Sequence, residues 1–106
     1  MSDVLKRLDE TIAARKAEGD AASSHTAGLL AKGPLKCAEK FGEEAVEAVI
    51  AAAAQDRDAL VGECADVLYH MAVMLAARDA TLAEVLAKLE AREGTSGVAE
   101  KAARGG

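Results

Sequence analysis

The sequence predicts an all-α domain of about four to five helices, packed as an antiparallel bundle whose core is shared with a partner subunit. Helix-forming residues fill most of the 106 positions, one proline occurs, and the polar–apolar alternation of strands is absent. Hydrophobic residues make up 51% of the chain, but alanine dominates them, with one Phe, one Tyr and no Trp. Such a core buries little apolar area, so a lone monomer would be marginally stable. Small side chains let helices approach closely, which favours an oligomer.

The first helix is expected over residues 3–18, where apolar residues recur at helical spacing. Its apolar stripe consists of Val4, Leu5, Leu8 and Ile12. The small and polar stretch 19–26 is typical of a loop, and a short turn is expected at 27–31. Pro34 suits the start of a helix because its missing N–H would be unpaired there anyway, and this helix should continue to about residue 55.

Capping residues predict two further helices. Asp56 is a suitable N-cap for a helix that reaches about residue 78. The second half of this helix is apolar almost all round, as in a helix buried on several sides. Thr81 and Glu84 form a capping-box pattern that opens the last helix, which should end at about residue 93.

Composition and charge exclude several classes of function. The formal net charge of −5 disfavours nucleic-acid binding, because a phosphate backbone needs a basic surface. No secretory signal is visible, and the longest apolar run, residues 67–77, is too short for a membrane span of about 20 residues.

Cys37 and Cys64 have no paired spacing and are expected as reduced thiols in a cytoplasmic protein. Residues 1–106 are expected to form one domain, with a tail from about residue 94 that frays or forms a short helix.

Two acidic pairs are the strongest functional signal. Glu44 and Glu47 lie three residues apart on the third predicted helix, and Glu63 and Asp66 have the same spacing on the fourth, so each pair shares one helix face. The intervening residues suffice for an antiparallel turn that brings the pairs to a similar height. Converging carboxylates at the edge of an apolar surface cannot stay ionised without compensation. A hard divalent cation resolves this conflict, and Mg²⁺, which prefers oxygen ligands and retains water, is the expected cofactor.

The charged residues also have simpler interpretations. Glutamates on helices usually form a solvated face, which is the alternative to a metal site. Lys36 and Lys40, with Lys32 before them, either hold phosphate oxygens or pair with acidic residues one turn away. His70 lies seven residues after Glu63 on the same stripe, but a lone histidine in an apolar helix is more often a hydrogen-bonded core residue than a ligand.

The same motifs resemble a known family. Residues 43–47 and 63–66 match the pattern E-E-x-x-E followed by E-x-x-D of MazG-like all-α nucleoside-triphosphate pyrophosphohydrolases. The run 36–47 resembles the K-x-x-x-K-x-G-E-E-x-x-E signature of the phosphoribosyl-ATP pyrophosphatase family. E-C-A-D-V-L-Y-H at 63–70 is similar to that family's E-x-A-D-L-x-Y-H. Residues 50–52, just after the first run, also resemble this family, as do residues 24–26, 29–33 and 96–102.

The resemblance implies a hydrolase of histidine biosynthesis, which converts phosphoribosyl-ATP and water to phosphoribosyl-AMP and pyrophosphate. The catalytic and Mg²⁺-binding residues would be Glu44, Glu47, Glu63 and Asp66. Glu43 would bind a second metal ion, or it would contact the metal ligands without binding the ion itself. The substrate phosphates would be held by Lys36 and Lys40, with three further candidates, Lys32, His70 and Thr26. The resemblance also implies a homodimer, or a dimer of dimers, of interlocked helices.

One position departs from the family pattern. His25 stands where relatives often carry Tyr or Trp, so any stacking of this position on a nucleobase would be altered. Two other functions also fit these residues. A house-cleaning (d)NTP pyrophosphohydrolase of the same superfamily would use the same metal ligands. A non-catalytic helical interaction protein would use none of them, and replacing Glu44 or Glu63 by Gln would leave its function intact.

Overall fold

The computed structural model describes residues 2–21 and 24–94, and within these ranges it consists of five helices without a strand. The helices are α1 (Asp3–Glu18), α2 (His25–Ala31), α3 (Pro34–Ala54), α4 (Arg57–Ala77) and α5 (Leu82–Ala91). The predicted all-α fold is confirmed, and the helix boundaries agree with the predicted ones within one or two residues. The tail predicted to follow residue 94 lies outside the described residues.

Side-chain caps fix where the helices begin. Asp56 and Thr81 each accept a hydrogen bond from the backbone N–H three residues later, which pairs a donor that the helix itself leaves free. Thr81 and Glu84 form the complete capping box expected from the sequence. Ser24 caps α2 in the same way, so this helix begins at His25. The loop predicted before it is therefore shorter than expected.

The long helices α3 and α4 form the central pair of the fold. They are joined by Gln55 and Asp56 alone and contact each other along their length, so they run antiparallel. The helices α1, α2 and α5 all pack against α4, and α2 also contacts α3. This confirms the antiparallel arrangement predicted for the two helices that carry the acidic pairs.

The core lies where the shorter helices meet the central pair. Its buried apolar residues are Ile12, Leu29, Cys37, Ala72, Val73 and Leu82. The Cys37 thiol donates a hydrogen bond to the Leu29 carbonyl oxygen over 3.2 Å, and burial raises the pKa of this thiol. Cys64 is exposed, and both cysteines are free thiols in the structure. Asp9 on α1 accepts hydrogen bonds from two backbone N–H groups at the start of α5, so one carboxylate ties the first helix to the last.

The central pair leaves several large apolar side chains exposed, which together we call the outer face. It consists of Val46, Val49 and Ile50 on α3 and Val61 and Leu68 on α4, all of them exposed. Of the 21 residues of α3, Cys37 and Ala51 are the buried ones. Gly42 lies one turn before Val46, and a Cβ added there would meet no atom within 4 Å. Nothing in the described part of this chain accounts for the helix-weakening glycine.

By length and composition alone, α4 could cross a membrane. It is longer than the eleven-residue apolar run considered in the sequence, because the helix already begins at Arg57, ten residues before that run. Glu63 and Asp66 lie near its middle, and a carboxylate at the centre of a bilayer costs about 2.5–3.5 kcal/mol. The helix also packs along α3. These features favour packing in a protein bundle over insertion in lipid.

Candidate metal centre

Three of the four predicted carboxylates meet between α3 and α4. Oxygen atoms of Glu44, Glu63 and Asp66 lie within 4.8 Å of one another. Glu44 reaches in from α3, and the other two project from one face of α4 because they are three residues apart. Two oxygens bound to one Mg²⁺ at about 2.1 Å are about 3 to 4 Å apart. Small side-chain movements therefore bring all three within reach of a single ion.

The environment of the Glu63 carboxylate favours the binding of a cation by these three residues. Its Oε2 atom is buried and has no hydrogen-bond partner among the described residues. An unpaired buried carboxylate oxygen is unfavourable by several kcal/mol, on the order of the cost of desolvating an ion without compensation. A hard cation supplies that compensation, and the donor set, which is all oxygen, matches the preference of Mg²⁺. Asp66 is exposed, so the site is open on one side to water and substrate.

The remaining acidic residues of the motif lie at the edge of this group. Glu47 is exposed, one turn after Glu44 on α3, and does not belong to the cluster of three. Glu43 is also exposed and lies 3.4 Å from the ammonium group of Lys40. The structure thus brings together three of the predicted ligands and leaves Glu47 outside that group.

Two of the predicted lysines, Lys36 and Lys40, lie one turn apart on α3, and Lys32 precedes that helix. Lys40 Nζ lies 3.7 Å from Glu44 Oε1, and a hydrogen bond to Glu43, with the attraction of both carboxylates, raises the pKa of Lys40. Lys36 is exposed and lies 3.0 Å from Glu39. Lys32 is exposed at the C-cap of α2. The pairing with acidic neighbours that the sequence allowed is present, and the ammonium groups of Lys32 and Lys36 are accessible to an anion.

His70 forms the interior wall of the site. It is buried, with 6% of its surface exposed, and its Nε2 atom lies 4.0 Å from Glu44 Oε1. Burial lowers the pKa of His70 more than the carboxylate of Glu44 raises it, which favours the neutral imidazole. Its ring packs edge-on against the ring of Tyr69, with 4.8 Å between the centroids.

Tyr69 is a site residue that sequence reasoning did not single out. Its hydroxyl group shares a 2.5 Å hydrogen bond with Thr26 Oγ1, which connects α4 to the first turn of α2. The exposed His25 ring lies nearly parallel to the Tyr69 ring, at 18° and 6.5 Å between centroids. The sequence feature that could have identified Tyr69 as a site residue is its position immediately before His70 in the second motif. Its partner on α2 is 43 residues away in sequence, so the contact was not visible there.

Comparisons with known proteins agree with this geometry. The family model for "Phosphoribosyl-ATP pyrophosphohydrolase" matches residues 5–93, which include all three converging carboxylates. A phosphoribosyl-ATP pyrophosphatase from Cereibacter sphaeroides is 71% identical over 102 residues, or 96% of this chain and 98% of the relative. Relatives of the same name from Dinoroseobacter shibae and Paracoccus denitrificans are 69% and 64% identical. These two matches cover 95% and 94% of this chain and 98% and 92% of the relatives. The chain therefore belongs to the phosphoribosyl-ATP pyrophosphohydrolase family.

Proposed function

We propose that this chain hydrolyses phosphoribosyl-ATP to phosphoribosyl-AMP and pyrophosphate, the second step of histidine biosynthesis, and that it does so in the cytoplasm. The observation that carries the proposal is the convergence of Glu44, Glu63 and Asp66, with one Glu63 oxygen buried and unpaired. An oxygen-only site of this kind attracts a hard cation, and a polyphosphate chain is the substrate that such a cation binds. Family membership supports the identity of the nucleotide.

Glu44, Glu63 and Asp66 would hold Mg²⁺, and Glu47 would complete the set by rotating inward from its exposed position. Glu43 is the candidate ligand for a second ion. When bound, Mg²⁺ neutralises charge on the triphosphate and makes a coordinated water more acidic. The reaction breaks the bond between the α- and β-phosphates, water supplies the oxygen that replaces it, and the protons of the water leave with the products. The carboxylates fix the cation, and with it the position of the reacting phosphate.

The lysines of α3 would bind the phosphate chain. Lys40 is the better placed, since it lies 3.7 Å from Glu44 and can exchange its acidic partners for a phosphate oxygen. Lys36 is one turn earlier on the same helix, and Lys32 lies beyond it. His70 is buried and Thr26 is bound to Tyr69, so we assign both to the support of the site rather than to phosphate contacts.

The outer face supports a second proposal, that the chain forms a homodimer through the α3–α4 pair. Val49, Val61 and the other residues of the outer face are large apolar side chains exposed on two neighbouring helices, and a large exposed apolar surface commonly marks an interaction site. A second copy of the chain would bury this face by packing its own α3 and α4 across α3 and α4 of the first copy. Gly42 would allow a helix of the second copy to approach closely at that point. A dimer of dimers would use further surface of the same subunits.

The decisive experiment is a pyrophosphate-release assay with phosphoribosyl-ATP and a panel of dNTPs, with and without Mg²⁺. Release from phosphoribosyl-ATP that requires Mg²⁺ is expected. Activity on dNTPs alone would instead identify a house-cleaning pyrophosphohydrolase on the same scaffold. No turnover of any nucleotide, with no effect of Mg²⁺ on the melting temperature, would favour a non-catalytic interaction protein.

A further inference from the structure

The carboxylate of Glu44 has donors on two sides. Lys40 Nζ lies 3.7 Å from Oε1 on the solvent side, and His70 Nε2 lies 4.0 Å from the same atom on the buried side. Glu44 itself is largely covered, with 12% of its side chain exposed. The carboxylate therefore lies between a partly exposed cation and a buried imidazole ring.

We propose that His70 is a positioning residue for Glu44, whose carboxylate it orients toward the cation by donating a hydrogen bond from Nε2 to Oε1. The proposal rests on the proposed function only in taking Glu44 as a ligand. A movement of about 1 Å closes the present gap to hydrogen-bond distance. With Oε1 held by His70, the second oxygen of Glu44 is left to bind the ion. Groups that hold ligands in this way commonly change metal affinity about 10- to 100-fold when removed.

The position of His70 is in turn fixed by its neighbours. Its ring packs edge-on against Tyr69, and the Tyr69 hydroxyl is hydrogen-bonded to Thr26 on α2. These contacts cross between two helices and limit rotation of both aromatic rings. The chain thus connects the start of α2, through Tyr69 and His70, to a ligand on α3. A histidine held this way loses little freedom when it binds Glu44.

The test is Mn²⁺ binding to the full chain without nucleotide, measured by the loss of the free-ion signal in electron paramagnetic resonance. His70→Leu removes the donor, and its Mn²⁺ affinity is expected to fall about tenfold. His70→Gln carries an amide nitrogen near the position of Nε2 and should recover most of the loss. His25→Asn removes an imidazole whose ring lies 6.5 Å from the His70 ring, between centroids, and it should leave the affinity unchanged.

Equal Mn²⁺ affinity in the wild type and the Leu variant would overturn the proposal. Equal losses in the Leu and Gln variants would also overturn it, because they would show that His70 acts through packing alone. If circular dichroism shows the Leu variant unfolded, Gln is compared with Asn, whose shorter amide does not reach Glu44 and should bind Mn²⁺ more weakly. Equal Mn²⁺ binding by the Gln and Asn variants would contradict the proposal. Failure of the proposed function would appear separately, as no pyrophosphate release by the wild type.

Discussion

Glu63 on α4 approaches Glu44 on α3 to within 4.8 Å, while one of its own carboxylate oxygens is buried without a hydrogen-bond partner. Two like charges at this distance repel each other, and the repulsion is stronger where water is excluded. The fold therefore holds an unfavourable contact at the centre of its longest helix pair. A divalent cation turns that contact into a favourable one, so the stability of the protein should depend on the ion.

Removing the charge of Glu63 should separate the repulsion between the carboxylates from the stabilisation by the cation. Glu63→Gln is expected to raise the melting temperature of the metal-free protein, since the repulsion of Glu44 and Asp66 falls. The same change should abolish both pyrophosphate release and the stabilisation by Mg²⁺, which is about 2.7 kcal/mol at 100 times the dissociation constant. Thermal melts with and without Mg²⁺ measure this. Glu39→Gln, on the exposed side of α3, is the matched control and should keep the Mg²⁺ response.

Glu47 should contribute less to metal binding than Asp66. Asp66 belongs to the converging group, whereas Glu47 is exposed and must rotate inward at a cost in side-chain entropy. Calorimetric titration with Mg²⁺ should give a smaller loss of affinity for Glu47→Gln than for Asp66→Asn. The reverse order would show that the ion sits on the α3 side of the cluster, between the two glutamates of the first motif.

Charge on the outer face should disrupt the proposed dimer. Ile50→Glu introduces a carboxylate into an apolar interface, where an unpaired charge is costly. Sedimentation equilibrium is expected to show twice the chain mass for the wild type and the mass of one chain for the variant. Val4→Glu, at an exposed apolar position on α1, should remain dimeric. An unaffected mass in the Ile50 variant would exclude this face as the interface.

The link between α1 and α5 should be important for stability. Asp9 accepts hydrogen bonds from Leu82 N at 2.9 Å and Ala83 N at 3.1 Å, both donors that the helix leaves unpaired. Asp9→Ala is expected to reduce the free energy of unfolding by about 1–2 kcal/mol. Urea unfolding followed by circular dichroism measures the change. Glu10→Ala, at the exposed neighbouring position, should have little effect.

Acid should weaken the contact between Lys16 and Asp79. Lys16 donates a 2.6 Å hydrogen bond to Asp79, which lowers the pKa of Asp79 below its value in the unfolded chain. The contribution of this pair to stability is thus present above the ordinary aspartate pKa of about 3.9 and is lost as the pH falls through the lower, folded-state value. Asp79 has a φ of 58°, which asparagine also tolerates, so Asp79→Asn removes the charge with little strain.

Melting temperatures of the wild type and Asp79→Asn should therefore differ at pH 6 and converge in strong acid. Other carboxylates titrate in both proteins, so the difference isolates this pair. Since both side chains are exposed to solvent, 39% for Lys16 and 89% for Asp79, the difference at pH 6 should be small. A gap that widens with falling pH would contradict the assignment.

Much of the fold could be read from the sequence because its determinants are local. Asp56 and Thr81 cap their helices through atoms three residues away, and Pro34 begins α3 for a reason that lies in its own ring. The start of α2 was missed because Ser24 lies in a short polar stretch where a cap and a loop look alike. The prediction of a single domain over residues 1–106 stays a prediction.

The sequence by itself determined the helices and the two acidic motifs, since spacing along a helix decides which side chains share a face. The tertiary structure alone decided that Glu44, rather than Glu47, joins Glu63 and Asp66, because that choice depends on how α3 rotates against α4. It also decided that His70 faces Glu44 from the interior and that Thr26 meets Tyr69. Contacts between helices depend on packing of the whole core, which no local pattern encodes.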